Sequence, residues 1–321
     1  MKIWCNGDFG DEAMALLAAS TATHTLVLSS DRNSSVLAGG RRDPTITGAE
    51  VAFGQPDPED CLANAGLKWV EVSSAGYTRY DTVPFREGMR SRGTAFTNAS
   101  RVYADACAEH VLAMMLALGR QLLPSYQTQL TDRGWPYQER RDASRLVTGQ
   151  TVVLLGFGAI GLRLAELLAP FRMRVYAVRR RIRSEPGVHV VSEESLTRVL
   201  AEADHVVNVL PENDETRNYV NARRISCFKP GARFYNVGRG PTVDQDALIR
   251  GLESGRVGAA YLDVMVPEPL PPGNPLWSAP NCFITPHTAG GRNNVNLELV
   301  RHFLANLQAF ETGGQMTDRV L

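Results

Sequence analysis

The stretch Thr151-Val-Val-Leu-Leu-Gly-Phe-Gly-Ala-Ile-Gly161 decides the fold of this chain. Its apolar first half predicts a buried strand, and glycines in the spacing GxGxxG follow where a helix should begin. Gly156 permits a tight turn, Gly158 lets the backbone approach a pyrophosphate, and Gly161 lets the helix lie against the strand. This context indicates a dinucleotide-binding loop. The alternative is a tight strand–helix turn that binds no ligand.

Short apolar segments alternate with helical patterns on both sides of this loop, which predicts α/β architecture with parallel sheets. The expected strands before the loop are Lys2–Cys5, Thr25–Ser29, Glu50–Gly54 and Lys68–Ser74. From the loop onward they are Thr151–Leu155, Arg174–Val178, His205–Leu210, Ala232–Val237, Ala259–Val264 and Cys282–Thr285. The predicted fold class is therefore two Rossmann-like or flavodoxin-like parallel-sheet domains.

The order of these segments predicts that one domain is inserted into the other. A chain of 321 residues is too long for one ordinary core. The amphipathic helix that begins near Val295 is too isolated to fold alone, so it should pack back onto the first domain. We expect a dinucleotide-binding domain at 98–287, with a long apolar helix at 101–119 and a polar connector at 121–147 that is broken by Pro124, Gly134 and Pro136. Residues 1–97 with 288–321 would form the smaller substrate domain.

Composition excludes several classes of protein. Acidic and basic residues balance at 34 each, which argues against general affinity for nucleic acid or membranes. The N-terminus lacks the basic-then-apolar pattern of a signal peptide, and no window approaches ~18 uninterrupted apolar residues. The five cysteines are scattered without a CxxC pair, so we expect reduced thiols, a cytoplasmic location and no metal.

Three further segments each place one chemically useful side chain at the end of an apolar run. Arg239 lies in a Gly-Arg-Gly turn, where glycines would let a ligand approach the main chain, and its planar fork suits a carboxylate. Glu268 lies between two prolines, and His287 follows Pro286. Histidine has an ordinary pKa near 6.5, and a carboxylate beside it would fix its tautomer. The alternatives are a surface ion pair, a solvated glutamate and a structural histidine.

The residues after the second predicted strand of this domain bear on the choice of cofactor. An NAD site usually has Asp or Glu there, to hold the ribose 2′-hydroxyl. This chain has Arg179-Arg180-Arg181 instead, which suits the 2′-phosphate of NADP. We therefore expect NADP rather than NAD. The alternative is a solvated basic run that does not reach the ligand.

Taken together, the chain resembles the D-isomer-specific 2-hydroxyacid dehydrogenase family, which includes glyoxylate/hydroxypyruvate reductases and phosphoglycerate dehydrogenases. The segments that carry the resemblance are Thr97-Asn-Ala, Ala108-Glu-His110, Leu155-Gly-Phe-Gly-Ala-Ile-Gly161, Asn236-Val-Gly-Arg-Gly240, Leu262-Asp-Val264, Pro267-Glu-Pro-Leu270 and Thr285-Pro-His287. The chain departs from the family in lacking the acidic residue after the second cofactor-domain strand. Arg101-Val-Tyr103 also stands where many members have a glycine-containing turn.

The resemblance implies roles for individual residues. The catalytic residues would be Arg239, Glu268 and His287, and Asp263 would contact the nicotinamide amide. The substrate would be bound by Arg239 and by Ala75, Gly76 and Tyr77. The cofactor would contact Gly156, Phe157, Gly158, Ala159, Ile160, Gly161, Arg179, Arg180, Leu210, Pro211, Val237, Asp263, His287 and Gly290. The helix at 101–119 would form a homodimer, with Trp135 as a candidate to reach the partner's active site.

The implied activity is reduction of a small 2-keto acid to its D-2-hydroxy acid by hydride transfer from NAD(P)H, with glyoxylate or hydroxypyruvate as the favoured substrate. One alternative keeps the fold and takes a bulkier or phosphorylated keto acid, as phosphoglycerate dehydrogenases do. Another is a dinucleotide-sensing dimer without catalysis, because a fold alone does not fix a function.

Overall fold

The computed structural model describes residues 1–33, 39–179 and 184–321 of the chain. This part forms two compact units, residues 1–103 with 292–321 and residues 104–291. The sequence predicts boundaries at 97/98 and 287/288. In the structure both boundaries lie a few residues later in the chain. Hydrogen bonds give the reason at the first boundary. Asn98 Nδ2 donates to the Ala75 carbonyl at 2.8 Å, and the Tyr103 hydroxyl donates to the Ser73 carbonyl at 2.7 Å.

The first unit contains a parallel sheet. Its strands are β1 (Lys2–Gly7), β2 (Thr25–Asn33), β3 (Val51–Gly54), β4 (Trp69–Val72) and β5 (Ala95–Thr97). They lie in the order β2-β1-β3-β4-β5, which is the flavodoxin-like order. The helices of this unit are α1 (Asp11–Ser20), α2 (Pro58–Ala63), α3 (Val83–Arg92) and α11 (Val295–Thr312).

Sequence analysis does not predict β5 or α3, and both have a weak pattern. Strand β5 has only three residues, fewer than a periodicity needs. Helix α3 buries Phe85 and Met89, while most of its other residues are polar. Its ends are better defined than its face. Thr82 caps the start by accepting from Phe85 N, and Gly93 ends the helix at a φ of 68°.

The second unit is a larger parallel sheet. Its strands are β6 (Thr151–Leu155), β7 (Arg174–Val178), β8 (Val188–Val191), β9 (His205–Asn208), β10 (Ala232–Asn236), β11 (Val257–Leu262) and β12 (Cys282–Ile284). Their order is β12-β11-β10-β9-β6-β7-β8. The helices are α4 (Ser100–Gly119), which begins in the first unit, α5 (Leu122–Leu130), α6 (Tyr137–Ala143), α7 (Ala159–Leu168), α8 (Leu196–Glu202), α9 (Ala222–Ser226) and α10 (Gln245–Glu253). The predicted fold class of two parallel α/β domains is confirmed.

The predicted number of strands in this unit was wrong. Six strands were expected, and the described residues contain β8 as a seventh, a short strand paired to β7 at the sheet edge.

The polar connector at 121–147 contains two helices, α5 and α6, which the sequence pattern did not predict. Pro124 lies in the first turn of α5 and Pro136 directly precedes α6. Proline is tolerated at helix starts, so these prolines mark helix ends and not a loop.

Helix α4, with 20 residues, is the longest helix that the structure describes. Within the described residues, it alone is long and apolar enough to cross a membrane by length and composition, a test that a core helix also passes. Ala108, Val111 and Met115 are fully buried inside the protein. The sequence predicts that this helix is buried either in a core or against another subunit. These three residues are buried in the core of the chain itself.

The C-terminal helix α11 completes the core of the first unit. Its Leu299, Val300 and Phe303 are buried with Ile3 and Phe53 of the sheet. The rings of Phe53 and Phe303 stack with centroids 4.2 Å apart. Chain ends that are distant in sequence therefore share one core, which explains why α11 returns to this unit.

A buried polar cluster also ties α11 to this sheet. The side chain of Glu71 on β4 is 1% exposed and accepts hydrogen bonds from Thr97 Oγ1 and Asn306 Nδ2. His302 Nδ1 lies 3.0 Å from Glu71 Oε1, and its Nε2 lies 3.3 Å from Asp318 Oδ2. Burial alone would lower the pKa of His302, but the hydrogen bonds and charges of Asp318 and Glu71 outweigh it and raise the pKa to about 9.

This cluster predicts a pH-dependent stability. Because the folded-state pKa of His302 lies above its ordinary value, its contribution is complete below about pH 6.5 and is lost as the pH rises through about 9. We expect the free energy of unfolding of the wild type to fall by roughly 1–3 kcal/mol over that window. Denaturant titrations should show a smaller fall in His302→Gln. An equal fall in both proteins would contradict the assignment.

Candidate active site

The loops that carry the predicted chemistry lie at one edge of the larger sheet. All strand pairs in this sheet are parallel, so the carboxyl ends of β6, β9, β10, β11 and β12 face the same way. The strand order reverses between β6 and β9, and such switch points open a crevice for ligands. The glycine loop follows β6 and therefore begins at this switch point.

The glycine loop has the geometry that an anion-binding turn needs. Gly156 has a φ of 92°, and a Cβ there would lie 3.2 Å from the Val209 carbonyl oxygen. A Cβ on Gly161 would lie 3.2 Å from the Gly156 oxygen, so the helix does lie close to the strand end. A Cβ on Gly158 would instead project into open space. Helix α7 begins at Ala159 and Ile160, and no side chain caps it.

These features fit a dinucleotide. The first N–H groups of a helix that lacks a side-chain cap remain available to an anion. The space over Gly158 leaves room for a pyrophosphate at the main chain, as the spacing of the glycines predicts.

The glycines beside Arg239 lie against the backbone of two neighbouring loops. A Cβ on Gly238 would lie 2.7 Å from the Leu210 carbonyl oxygen, and one on Gly240 would lie 2.1 Å from the Met265 oxygen. They are needed because the loops after β9 and β11 pack directly against this turn. Their nearest neighbours are protein backbone, so the packing of these loops requires glycine at both positions, and the expected approach of a ligand stays a prediction.

Three more residues of the predicted cofactor set lie in these closely packed loops. Leu210 and Pro211 follow β9, and Pro211 O accepts a hydrogen bond from Thr216 Oγ1 at 2.7 Å. Val237 follows β10, is 5% exposed and donates its N–H to the Asn208 carbonyl. These residues lie between the glycine loop and the Arg239 turn.

His287 and Glu268 form a direct pair. His287 Nδ1 lies 2.7 Å from Glu268 Oε2, and Glu268 Oε1 accepts from Met265 N at 2.9 Å. Partial burial would raise the pKa of Glu268, but the hydrogen bonds from His287 and Met265 and the charges of His287 and Arg239 outweigh it and lower the pKa. The carboxylate is therefore ionised near neutral pH. It accepts a hydrogen bond from Nδ1–H, which leaves Nε2 of the imidazole for other chemistry.

Arg239 lies in the same electrostatic environment. Its Nη1 donates to the Gly238 carbonyl at 2.7 Å, which uses one of the five N–H donors of a guanidinium. Burial lowers the pKa of Arg239, while the charges of Glu268 and Glu212 oppose that shift. The guanidinium remains a cation, because an arginine pKa stays far above neutral pH. A half-buried cation beside an ionised carboxylate and an imidazole is a suitable environment for a polar, anionic substrate.

Asp263 organises the loop that presents His287. It is 2% exposed, and its oxygens accept from Thr285 Oγ1 at 2.5 Å, Thr288 N at 2.8 Å and Ala289 N at 2.9 Å. Its carbonyl accepts from His287 N at 2.9 Å. Its carboxylate thus holds this loop, which includes Gly290, and its expected contact with a nicotinamide amide stays a prediction.

His287 has an unusual backbone conformation. Its φ is 55°, in the left-handed region that costs a residue with a Cβ about 1–2 kcal/mol. The hydrogen bonds that Asp263 makes on both sides of the residue hold it there. A strained backbone that surrounding bonds hold in place is common where a side chain must point in one direction.

The expected cofactor arginines are only partly described. Arg179 directly follows β7, and its Nη1 donates to Glu185 Oε1 at 3.1 Å. Its guanidinium carbon lies 5.9 Å from the centroid of the Phe157 ring in the glycine loop, so Arg179 does lie beside that loop. Arg180 lies outside the described residues. Sequence analysis did not anticipate Glu185, because nothing in the linear pattern pairs it with Arg179.

The predicted substrate loop follows β4 in the first unit. Ser74 Oγ donates to the Gly76 carbonyl, and Asn98 Nδ2 donates to the Ala75 carbonyl, so the loop is held by its own neighbours. The ring of Tyr77 packs edge-on against Phe96. Among the residues that the structure describes, none accepts a hydrogen bond from the N–H of Ala75 or Gly76. Those two groups are available to an anion.

The connector presents an apolar surface around α5 and α6. Trp135 is 91% exposed, and the exposed apolar side chains near it are Leu122, Tyr126, Leu130 and Tyr137. Exposed apolar residues grouped in one segment are typical of interaction surfaces.

Comparison with known proteins relates this architecture to one family. A family model described as "D-isomer specific 2-hydroxyacid dehydrogenase, NAD binding domain" matches residues 112–289. A glyoxylate reductase from Aeropyrum pernix is 32% identical over 263 residues, covering 79% of this chain and 76% of that protein. A glyoxylate/hydroxypyruvate reductase B from Pectobacterium atrosepticum is 29% identical over 276 residues, covering 84% and 85%.

A solved structure agrees along the whole chain. The D-isomer specific 2-hydroxyacid dehydrogenase from Xanthobacter autotrophicus, determined with NADPH and MES, has a TM-score of 0.83 and 26% identity. The alignment covers 100% of this chain and 98% of that one.

Proposed function

This chain belongs to the D-isomer-specific 2-hydroxyacid dehydrogenases and is an NAD(P)-dependent enzyme of small 2-hydroxy acids, and we propose that it reduces glyoxylate or hydroxypyruvate. The observation that carries the proposal is the His287–Glu268 hydrogen bond beside the half-buried Arg239. Relatives named as glyoxylate and glyoxylate/hydroxypyruvate reductases support the choice of substrate.

His287 is proposed as the general acid. Glu268 accepts a hydrogen bond from Nδ1–H, so the imidazolium directs its Nε2 proton towards a substrate carbonyl oxygen. The carboxylate also stabilises the positive charge of the imidazolium before the proton leaves. In the oxidative direction the same imidazole would take the proton from the hydroxyl group.

Arg239 is proposed to bind and polarise the substrate. Its free N–H donors can hold a carboxylate in two hydrogen bonds, and its charge stabilises negative charge that develops on the carbonyl oxygen. The N–H groups of Ala75 and Gly76, with Tyr77, are proposed to hold the substrate carboxylate as well. A bound nicotinamide supplies the hydride, which is chemistry that belongs to the cofactor. The protein contributes orientation, charge and one proton.

We also propose that the enzyme is a cytoplasmic homodimer. The exposed apolar side chains of the connector around Trp135 offer a surface that a second copy could cover, and helix α4 would have the place in the interface that the family resemblance implies. In that arrangement Trp135 would be the connector residue that reaches the partner's site.

The proposed reaction predicts a specific substrate profile. Steady-state oxidation of NADPH and NADH should be measured with a panel of 2-keto acids, and the product configuration should be determined. We expect glyoxylate and hydroxypyruvate to give the highest kcat/KM, with a D-product where the product is chiral. A clear preference for 3-phosphohydroxypyruvate or a bulkier keto acid would contradict the proposed substrate. No turnover with any keto acid would contradict the proposed reaction.

The proposed general acid predicts a loss of turnover. Removal of a general acid typically costs ~10²–10⁴-fold in rate, so His287→Ala should lower kcat by that order. NADPH binding, measured by fluorescence titration, should change little. His189→Ala is a suitable control, because this exposed histidine lies on β8 against Tyr176. Turnover of His287→Ala near that of the control would contradict the role.

The cofactor preference is proposed to depend on Arg179. Arg179→Ala should lower kcat/KM for NADPH by about tenfold or more. The reason is that a charge-assisted hydrogen bond from the guanidinium to the 2′-phosphate would contribute more than ~1.4 kcal/mol to binding. The value for NADH should change much less. Glu185→Gln is the matched variant, since it releases the guanidinium from its ion pair and should raise the NADPH-to-NADH ratio. A wild type that uses NADH as well as NADPH would contradict the preference.

A further inference from the structure

Tyr261 connects the long helix to the loop that presents His287. It lies on β11 and is fully buried, and its hydroxyl contacts two side chains at once. One is His110 Nε2 on α4, with which it forms a hydrogen bond. The other is Thr285 Oγ1, at 2.5 Å. Thr285 Oγ1 then lies 2.5 Å from Asp263 Oδ1, so four side chains form one continuous chain of hydrogen bonds.

The direction of these hydrogen bonds follows from the carboxylate at one end. An ionised carboxylate only accepts, so Thr285 donates its hydroxyl proton to Asp263. Thr285 Oγ1 must therefore accept from the Tyr261 hydroxyl, and the Tyr261 oxygen must accept from His110. Burial raises the pKa of Tyr261, which keeps this phenol protonated and able to donate to Thr285. His110 is thereby fixed as the tautomer that carries its proton on Nε2.

Asp263 connects this chain of hydrogen bonds to the loop that carries His287. Its two carboxylate oxygens also accept from Thr288 N and Ala289 N, the two residues after His287. Its carbonyl accepts from the N–H of His287, whose φ is 55°. The orientation of the Asp263 carboxylate therefore determines where the strained His287 backbone, and with it the imidazole, is held.

We propose that His110, Tyr261 and Thr285 are positioning residues, which hold the Asp263 carboxylate so that His287 meets the substrate in a productive orientation. This inference rests on the proposed role of His287 as general acid. Without the Tyr261 and Thr285 hydroxyls, Asp263 loses an ordered donor and the loop gains freedom. A displacement of about 1 Å in a reacting group can cost on the order of 100-fold in rate.

The protein contains a matched pair that separates positioning from simple stability. Tyr235 lies on the neighbouring strand β10, directly opposite Tyr261 in register. It is also fully buried, and its hydroxyl bonds to His205 Nδ1 at 3.0 Å. His205 leads on to Gln150, away from the His287 loop. Tyr235→Phe therefore removes an equivalent tyrosine–histidine bond without touching the proposed chain.

The experiment compares Tyr261→Phe with Tyr235→Phe in the full-length enzyme with glyoxylate and NADPH. Both should lose similar thermal stability. Tyr261→Phe alone should lower kcat, by roughly 10–100-fold, while KM for the keto acid and the Kd of NADPH change by less than about threefold. Substituting deuterium at the transferred position of NADPH should then give a larger isotope effect on kcat than in the wild type. Equal kcat in the two variants would overturn the proposal.

Thr285 provides a second, conservative test. Thr285→Val keeps the shape and removes the hydroxyl, so it should show the same loss of kcat as Tyr261→Phe. Thr285→Ser keeps the hydroxyl and should retain a kcat within about threefold of the wild type. A valine variant as active as the serine variant would contradict the positioning role. If the wild type itself reduced no keto acid, the proposed function would fail instead, and the two failures are thus distinguishable.

Discussion

A parallel sheet brings the carboxyl ends of all its strands to one edge, and the candidate site of this enzyme depends on that constraint. The glycine loop, the Arg239 turn, the Glu268 loop and His287 follow different strands, yet they lie along one line of neighbouring loops. Glycines make this possible where two loops meet, at Gly238 against Leu210 and at Gly240 against Met265. The side chains with chemical roles are then held by main-chain groups of adjacent loops.

Asp263 is the residue through which this edge becomes ordered. Its buried carboxylate holds the backbone on the far side of His287, and its carbonyl holds the His287 N–H. Glu268 is held separately by Met265 N, so the imidazole and its carboxylate partner are oriented by two independent anchors. Because these two anchors are separate, the imidazole of His287 is held in one direction although the backbone of His287 is strained. Family membership makes the protein an NAD(P)-dependent D-2-hydroxyacid dehydrogenase, and these anchors indicate how such a site can be built in this chain.

Much of this arrangement could be predicted from the sequence. The strand pattern predicted two parallel α/β domains, because alternating apolar segments and helices constrain the topology strongly. The residues Arg239, Glu268 and His287 could be selected because each follows an apolar strand. Their direct contacts required coordinates, but the position of each at a strand end did not.

The remainder depends on contacts that leave no linear pattern. Strand β8 was missed because it is short and lies at a sheet edge, where apolar periodicity is weak. The ion pair between Arg179 and Glu185 joins residues with no shared motif. Tyr261 and Thr285 look like ordinary residues of a buried strand and its end, and only the structure reveals that their hydroxyls meet. The backbone packing that requires glycine at positions 238 and 240 likewise has no signal in the linear sequence.

The most direct test of the central claim is a crystal structure of the enzyme with NADPH and oxamate, an unreactive analogue of a 2-keto acid. The account predicts His287 Nε2 at about 3 Å from the carbonyl oxygen of oxamate, with Arg239 bound to its carboxylate. Oxamate bound with its carbonyl directed away from His287, or held by neither residue, would contradict it.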